Sequence, residues 1–107
     1  MSSSAGSGGG GVTLKVSAKS NPNSVAGALA AVLRERDTAE VQAVGAGAIN
    51  QAIKAVAIAR SYLKGAKLDV VCTPSFVLVS IDESERTAIS LKVERRKLEE
   101  KVEDVES

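Results

Sequence analysis

The chain switches repeatedly between two hydrophobic periods. Residues 12–17 set Val12, Leu14 and Val16 against Thr13, Lys15 and Ser17, the two-residue period of a half-buried strand. A cluster of turn and cap residues follows, Ser20-Asn21-Pro22-Asn23-Ser24. Either Asn21 caps a helix whose first residue is Pro22, or Asn23 caps one that starts at Ser24. Val25, Leu29, Val32 and Leu33 then recur at helical spacing and end in Arg34-Glu35-Arg36-Asp37. Residues 40–44 read as a second strand and residues 47–63 as a second helix, with Gly65 as its C-terminal stop. This helix is apolar nearly all round, with Ile49, Ile53 and Val56 on one stripe and Ala48, Ala55, Ile58 and Ala59 on another. One face is expected to cover a sheet and the other to meet a second helix or a second subunit.

Residues 68–73 read as a third strand that continues as residues 76–81 past Pro74, a residue that marks an edge position or a bulge. Residues 82–86 form a polar turn and residues 88–93 alternate again, so residues 68–93 make a long hairpin. Residues 94–107 read as a charged helical stretch with Leu98, Val102 and Val105 as its apolar stripe, a helix too short to be stable alone. The order β-α-β-α-β-β predicts an α/β two-layer sandwich, with both helices on one face of a four-stranded mixed sheet. Three parts are expected: a flexible Ser/Gly-rich leader or expression scar at residues 1–11, a folded domain at 12–95, and a charged helical tail at 96–107.

Composition narrows the picture. The 107 residues suit one domain, and 44% hydrophobic content supports a core, but aromatics are only 2%. Close backbone approach between Ala, Val, Leu and Ile must replace bulky packing. Cys72 is the one cysteine, which excludes an internal disulfide and suits a reducing compartment. No stretch has the length of a membrane span, and the N-terminus does not show the basic-then-apolar pattern of a signal peptide. A cytoplasmic protein that does not engage membranes is the expected setting. The net charge of +1 hides an asymmetry: residues 12–93 hold ten basic against seven acidic residues, and residues 94–107 hold four against six. A mildly basic body attracts polyanions.

The chemistry of catalysis is sparse. The chain has no His, which removes the usual general base and the commonest metal ligand. Cys72 lies between Val71 and Thr73 with no basic neighbour in sequence and reads as a structural thiol. The acidic residues do not have the spacing of a metal loop. No catalytic residue, metal or cofactor is expected.

Residues 45–60 pose the sharpest question. An apolar run, residues 41–44, feeds the turn Gly45-Ala46-Gly47, which opens straight into a helix. Such a junction directs unpaired N–H groups outward and favours an anion. A dinucleotide fingerprint would place its third glycine at Asn50. It would also need an acid at the end of the next strand, where the only acid, Asp69, stands at the start. The chain is also short for a doubly wound sheet. The competing reading is that both glycines let the backbone pass close to a neighbour. For nucleic acid, the candidates are Lys15, Lys19, Lys54 and Arg86, with Arg60 as a further cation, and the amides of Asn21, Asn23, Asn50 and Gln51. These residue types position phosphates and do not read bases. Tyr62 and Phe76 are the only aromatics, so there is no aromatic stacking platform for single strands. Each lysine alone is equally well read as ordinary surface charge.

The runs at residues 14–29 (Leu-Lys-Val-Ser-Ala-Lys-Ser-Asn-Pro-Asn-Ser-Val-Ala-Gly-Ala-Leu), 45–60 and 85–89 (Glu-Arg-Thr-Ala-Ile) closely resemble stage V sporulation protein S, over roughly residues 13–95. That family is similar in fold to Alba, the small chromatin and RNA-binding proteins, which share the element order given above. The resemblance implies a dimer or a higher oligomer such as a tetramer, with the hairpins as arms along a duplex. Lys19 matches the lysine of Alba's first strand-to-helix loop, and Arg86 is placed as an arm-tip contact. Alba's basic residues around the start of the second helix are replaced by Ala43, Gly45, Gly47 and Gln51, which implies fewer phosphate contacts and weaker binding.

The expected function is therefore a non-enzymatic, sporulation-type developmental regulator. It would bind DNA or RNA without sequence preference, through Lys15, Lys19, Asn21, Asn23, Asn50, Gln51, Lys54 and Arg86. The alternative is an oligomeric interaction or scaffold protein that docks a protein partner without nucleic acid.

Overall fold

A computed structural model of the chain describes residues 11–98. The elements, in chain order, are β1 (Thr13–Val16), α1 (Pro22–Glu35), β2 (Thr38–Ala43), α2 (Ala46–Leu63), a 3-10 turn (Lys64–Ala66), β3 (Leu68–Ile81) and β4 (Ser84–Lys97). The sheet order is β1-β2-β4-β3. β1 is parallel to β2, and β4 is antiparallel to both β2 and β3. Both helices pack on one face of this mixed sheet, which is the Alba-like two-layer α/β arrangement expected from the sequence. The leader reading for residues 1–10 and the tail reading for residues 99–107 lie outside the described residues.

The N-terminus of α1 settles the choice of cap. Asn21 is extended, and its Oδ1 accepts from the amides of Asn23 at 2.8 Å and Ser24 at 3.4 Å. Pro22 at the first helical position has no N–H to leave unpaired. The helix buries Ala26, Leu29, Ala30 and Leu33, one face at helical spacing. Its C-terminal end is closed from the sheet: Arg95 Nη1 on β4 donates to the carbonyls of Leu33 at 2.9 Å and Arg34 at 3.1 Å.

α2 starts at Gly45, whose φ of 92° and ψ of 156° lie where glycine is all but required. A Cβ added at Gly47 would stand 3.0 Å from Ala18 Cβ, so this glycine lets the β1–α1 loop press on the helix. Ala48, Ala52, Ala55, Val56, Ala59 and Leu63 are buried. Ala55 therefore belongs to the core of a single protomer, whereas Ile53 is 49% exposed. The helix does not stop at Gly65. It tightens into the 3-10 turn, and Lys67, at φ 61° and ψ 38°, is the left-handed residue that reverses the chain.

The hairpin is longer than its alternation suggests. Asp82 and Glu83, with φ of 51° and 65°, form a two-residue turn of the kind that matches strand twist. Ser84, Glu85 and Arg86, read above as part of the turn, are strand residues. From this turn the register runs without a break from Ile81↔Ser84 to Leu68↔Lys97. Pro74 thus marks the edge strand β3, with no bulge. Residues 94–97, read above as helix, are strand because that register pairs them with the start of β3. β2 ends at Ala43↔Ile89, so the far part of the hairpin projects as an arm, and the molecule measures 58 × 29 × 21 Å.

Two glycines test these assignments in opposite directions. Gly27, exposed inside α1 with open space around its Cβ position, should gain about 0.5–1 kcal/mol of stability as Gly27→Ala. Gly45→Ala should lose about 1–3 kcal/mol. Urea denaturation of both variants checks the pair, and a neutral Gly45→Ala would contradict the backbone geometry.

Candidate nucleic-acid interface

β1 alternates between the two faces of the sheet. Val16 is buried under the helices, while Lys15 pairs in register with Gln42 on the opposite, uncovered face. The chain then turns tightly: the Ser20 amide donates to the Ser17 carbonyl at 3.1 Å, the Ser17 amide to Ser20 Oγ at 2.9 Å, and the Lys19 amide to Ser17 Oγ at 3.2 Å. Lys19 is exposed on this turn. Gln51 Nε2 donates to the Ser20 carbonyl at 2.8 Å, which pins the loop to α2 one turn beyond Gly47.

The candidate residues therefore take different roles. Lys19, Asn21, Asn23 and Gln51 cluster where β1 ends and both helices begin. Asn21 spends its side-chain oxygen on the helix cap, and Gln51 is half-buried and structural. Asn50 and Lys54 are exposed on α2 and do not line the cleft described next. Arg60 is engaged elsewhere: its Nε and Nη2 hold Asp69 at 2.7 Å and 3.2 Å. That contact, reinforced by the Val70 amide, holds the Asp69 carboxyl below its ordinary value.

Lys15 and Arg86, 71 positions apart in sequence, line one cleft of about 380 Å³ between the end of β1 and the arm. Its apolar wall is built from Val16, Val44, Val79 and Ile81, and Ser17, Ser80 and Gln42 add hydrogen-bonding groups. Among the described residues no acidic side chain lines it. The ion pairs among the described residues join Arg60 to Asp69, Lys92 to Glu94 and Arg95 to Asp37. Lys15, Lys19, Lys54 and Arg86 take part in none of these. Sequence reasoning named Lys15 and Arg86 but missed the cleft and Gln42, because nothing local signals that the arm lies near the end of β1.

The uncovered face also carries a carboxylate network that sequence reading did not find. Glu40 Oε2 accepts from Ser90 Oγ at 2.6 Å and Gln42 Nε2 at 2.9 Å, and Oε1 accepts from Thr13 Oγ1 at 3.2 Å. These bonds tie β1, β2 and β4 together. Burial alone would push the Glu40 carboxyl up, but the three donors together outweigh it and leave it below its ordinary value. Burial pushes the Cys72 thiol up, which suppresses the reactive thiolate. Among the described residues no group of three or more His, Cys, Asp or Glu is placed to hold a metal ion.

The two-layer body with its projecting hairpin places this molecule in the class of Alba-like α/β proteins. The family model for stage V sporulation protein S (SpoVS) matches residues 12–96, and the chain belongs to that family. Membership implies a sporulation-related role, in a family of regulator-type proteins that is not a known enzyme family. No helix among the described residues is long and apolar enough to cross a membrane.

The Glu40 network has a pH signature. Folding lowers this carboxyl's pKa, so its contribution to stability is complete above the ordinary carboxylate range and is lost as pH falls through the folded-state value. Glu40→Gln should cost on the order of 1 kcal/mol at neutral pH and flatten the acid limb of the stability curve. Urea denaturation across the acidic range reads both effects, and identical pH dependence in the two proteins would remove Glu40 as its source.

Proposed function

We propose that this chain is a non-enzymatic sporulation-type regulator of the cytoplasm that binds DNA or RNA through its phosphate backbone, as a dimer or higher oligomer. The observation that carries the reading is that Lys15 and Arg86 line one cleft between the end of β1 and the arm, with Lys19 exposed on the loop that follows β1, all without an ion pair among the described residues. Counterion release from the polymer drives such binding and needs no base contact. Asn23, Asn50 and Lys54 are exposed on the two helices and extend the surface on which a backbone can lie. The exposed acids Asp82, Glu83 and Glu85 near the arm tip weaken the field, which is consistent with moderate affinity.

Self-association has its own support. Phe76 and Leu78 are 78% and 68% exposed, and by alternation with Val70 and Cys72 they lie on the helix-bearing face of the arm. Two large apolar side chains at that exposure, with Ile53 at 49% on α2, favour an interface between copies of this chain. The same surface is what favours the second reading, an oligomeric scaffold that docks a protein without nucleic acid.

Mobility shifts against duplex DNA, single strands and RNA separate the two readings. If Lys15, Lys19 and Arg86 each neutralise one phosphate, log affinity should fall against log salt with a slope of about −2.7 per protomer. Raising salt fourfold then costs roughly 40-fold in affinity. Lys19→Glu with Arg86→Glu should abolish the shift without changing the oligomer mass. Phe76→Ser with Leu78→Ser should lower that mass in sedimentation. Absence of any shift at low salt would leave the scaffold reading.

A further inference from the structure

The cleft between β1 and the arm is shaped for more than a phosphate. A bare phosphate, or the ridge of a duplex backbone, asks for exposed cations and gains nothing from an aliphatic wall. Here Lys15 and Arg86 stand beside Val16, Val44, Val79 and Ile81 in a concavity of about 380 Å³, within the size range of small-ligand sites. Val16 is only 7% exposed and belongs to the core under the helices, so the part of the wall open to a ligand is Val44, Val79 and Ile81. Gln42 Nε2 is held by Glu40 at 2.9 Å, which orients the side chain and leaves its carbonyl oxygen as an acceptor. An apolar wall, a few fixed polar groups and two cations unopposed by any lining acid make a site for an organic anion with a flat or apolar body.

We propose that this cleft binds one nucleoside monophosphate unit, its phosphate on Lys15 and Arg86 and its base against the aliphatic wall. This rests on the anion-binding role of Lys15 and Arg86 proposed above and adds to it a pocket for the base. The unit comes either as a free mononucleotide or as an unpaired nucleotide of a strand. A paired base cannot enter without being unstacked, which costs a few kcal/mol, so the polymer source must be single-stranded. The aliphatic wall then supplies the apolar surface that the chain's lack of aromatics seemed to deny.

The test is an amide NMR titration of the full chain with the four ribonucleoside 5′-monophosphates, inorganic phosphate, a short single-stranded oligonucleotide and a duplex of the same sequence. The expected result is a saturable shift of the Ser17, Ala18, Ser80 and Ile81 amides with at least one monophosphate, and a smaller effect from inorganic phosphate. Lys15→Ala and Arg86→Ala, both at exposed positions, should each weaken it about tenfold, the loss of one charge-assisted contact. A single strand that shifts these amides more than the duplex identifies the strand as the source. Mononucleotide binding here without any polymer binding identifies the free nucleotide and overturns the backbone reading instead. Duplex binding with no response to any monophosphate overturns the pocket and leaves the backbone reading standing. An equal response to inorganic phosphate, or binding that survives Lys15→Ala combined with Arg86→Ala, also overturns it.

Discussion

Along α2, Ala48, Ala52, Ala55 and Ala59 bury side chains of one methyl group each, and this sets how near the helix lies to the sheet and to α1. The one Phe and the one Tyr are both exposed and there is no Trp, so the core has no aromatic side chain with which to fill a gap, and native density is reached by bringing backbones together. The consequence reaches the surface at Gly47, where the seated helix leaves room for Ala18 only because no Cβ intervenes. Gln51 then fastens the Ser20 carbonyl to the same helix. The loop that presents Lys19 is therefore positioned through its two neighbours in sequence, Ala18 against Gly47 and Ser20 on Gln51.

The opposite face of the sheet is held differently. Among the described residues no helix covers it, and its strands are joined by hydrogen bonds from Thr13, Gln42 and Ser90 to the Glu40 carboxylate. One side chain thus links β1, β2 and β4 at the place where burial is incomplete. Charge-assisted bonds are the stronger class, and here they do the joining that an apolar layer does on the other face. Gln42 belongs both to this network and to the cleft, which couples the rigidity of the open face to the geometry around Lys15 and Arg86.

The proposed binding end lies where these two constraints meet. The strands β1 and β2 end together, both helices start there, and the hairpin continues past them as an arm. Arg60 is spent on Asp69 and Arg95 on the end of α1, whereas Lys15, Lys19 and Arg86 at this end form no ion pair among the described residues. For a member of the stage V sporulation protein S family, whose role is sporulation-related and not that of a known enzyme family, this end of the molecule supports a binding role. The apolar arm face supports association between copies.

Period-two and helical patterning were enough to read the element order, the Asn21 alternative at the α1 cap, the edge position of Pro74 as one of two options, and the two-layer sandwich. These are local properties: a strand's alternation, a cap's side chain and a proline's missing N–H act within a few residues. The family could also be read from three short runs. Misreadings fell where a distant partner overrides local preference. Residues 94–97 carry a charged, helix-compatible sequence, yet the turn at Asp82 and Glu83 sets a register that pairs them with β3. Gly65 looks like a helix stop, yet the reversal falls at Lys67. The second face of α2 was open to a second helix or a second subunit, and the burial of Ala55 within the protomer fits the first. By itself the sequence determined which residue types are available to hold an anion. Only the tertiary structure decided that Lys15 and Arg86 share one cleft while Arg60 is consumed by Asp69, because a contact between residues 71 positions apart leaves no periodic trace in the chain.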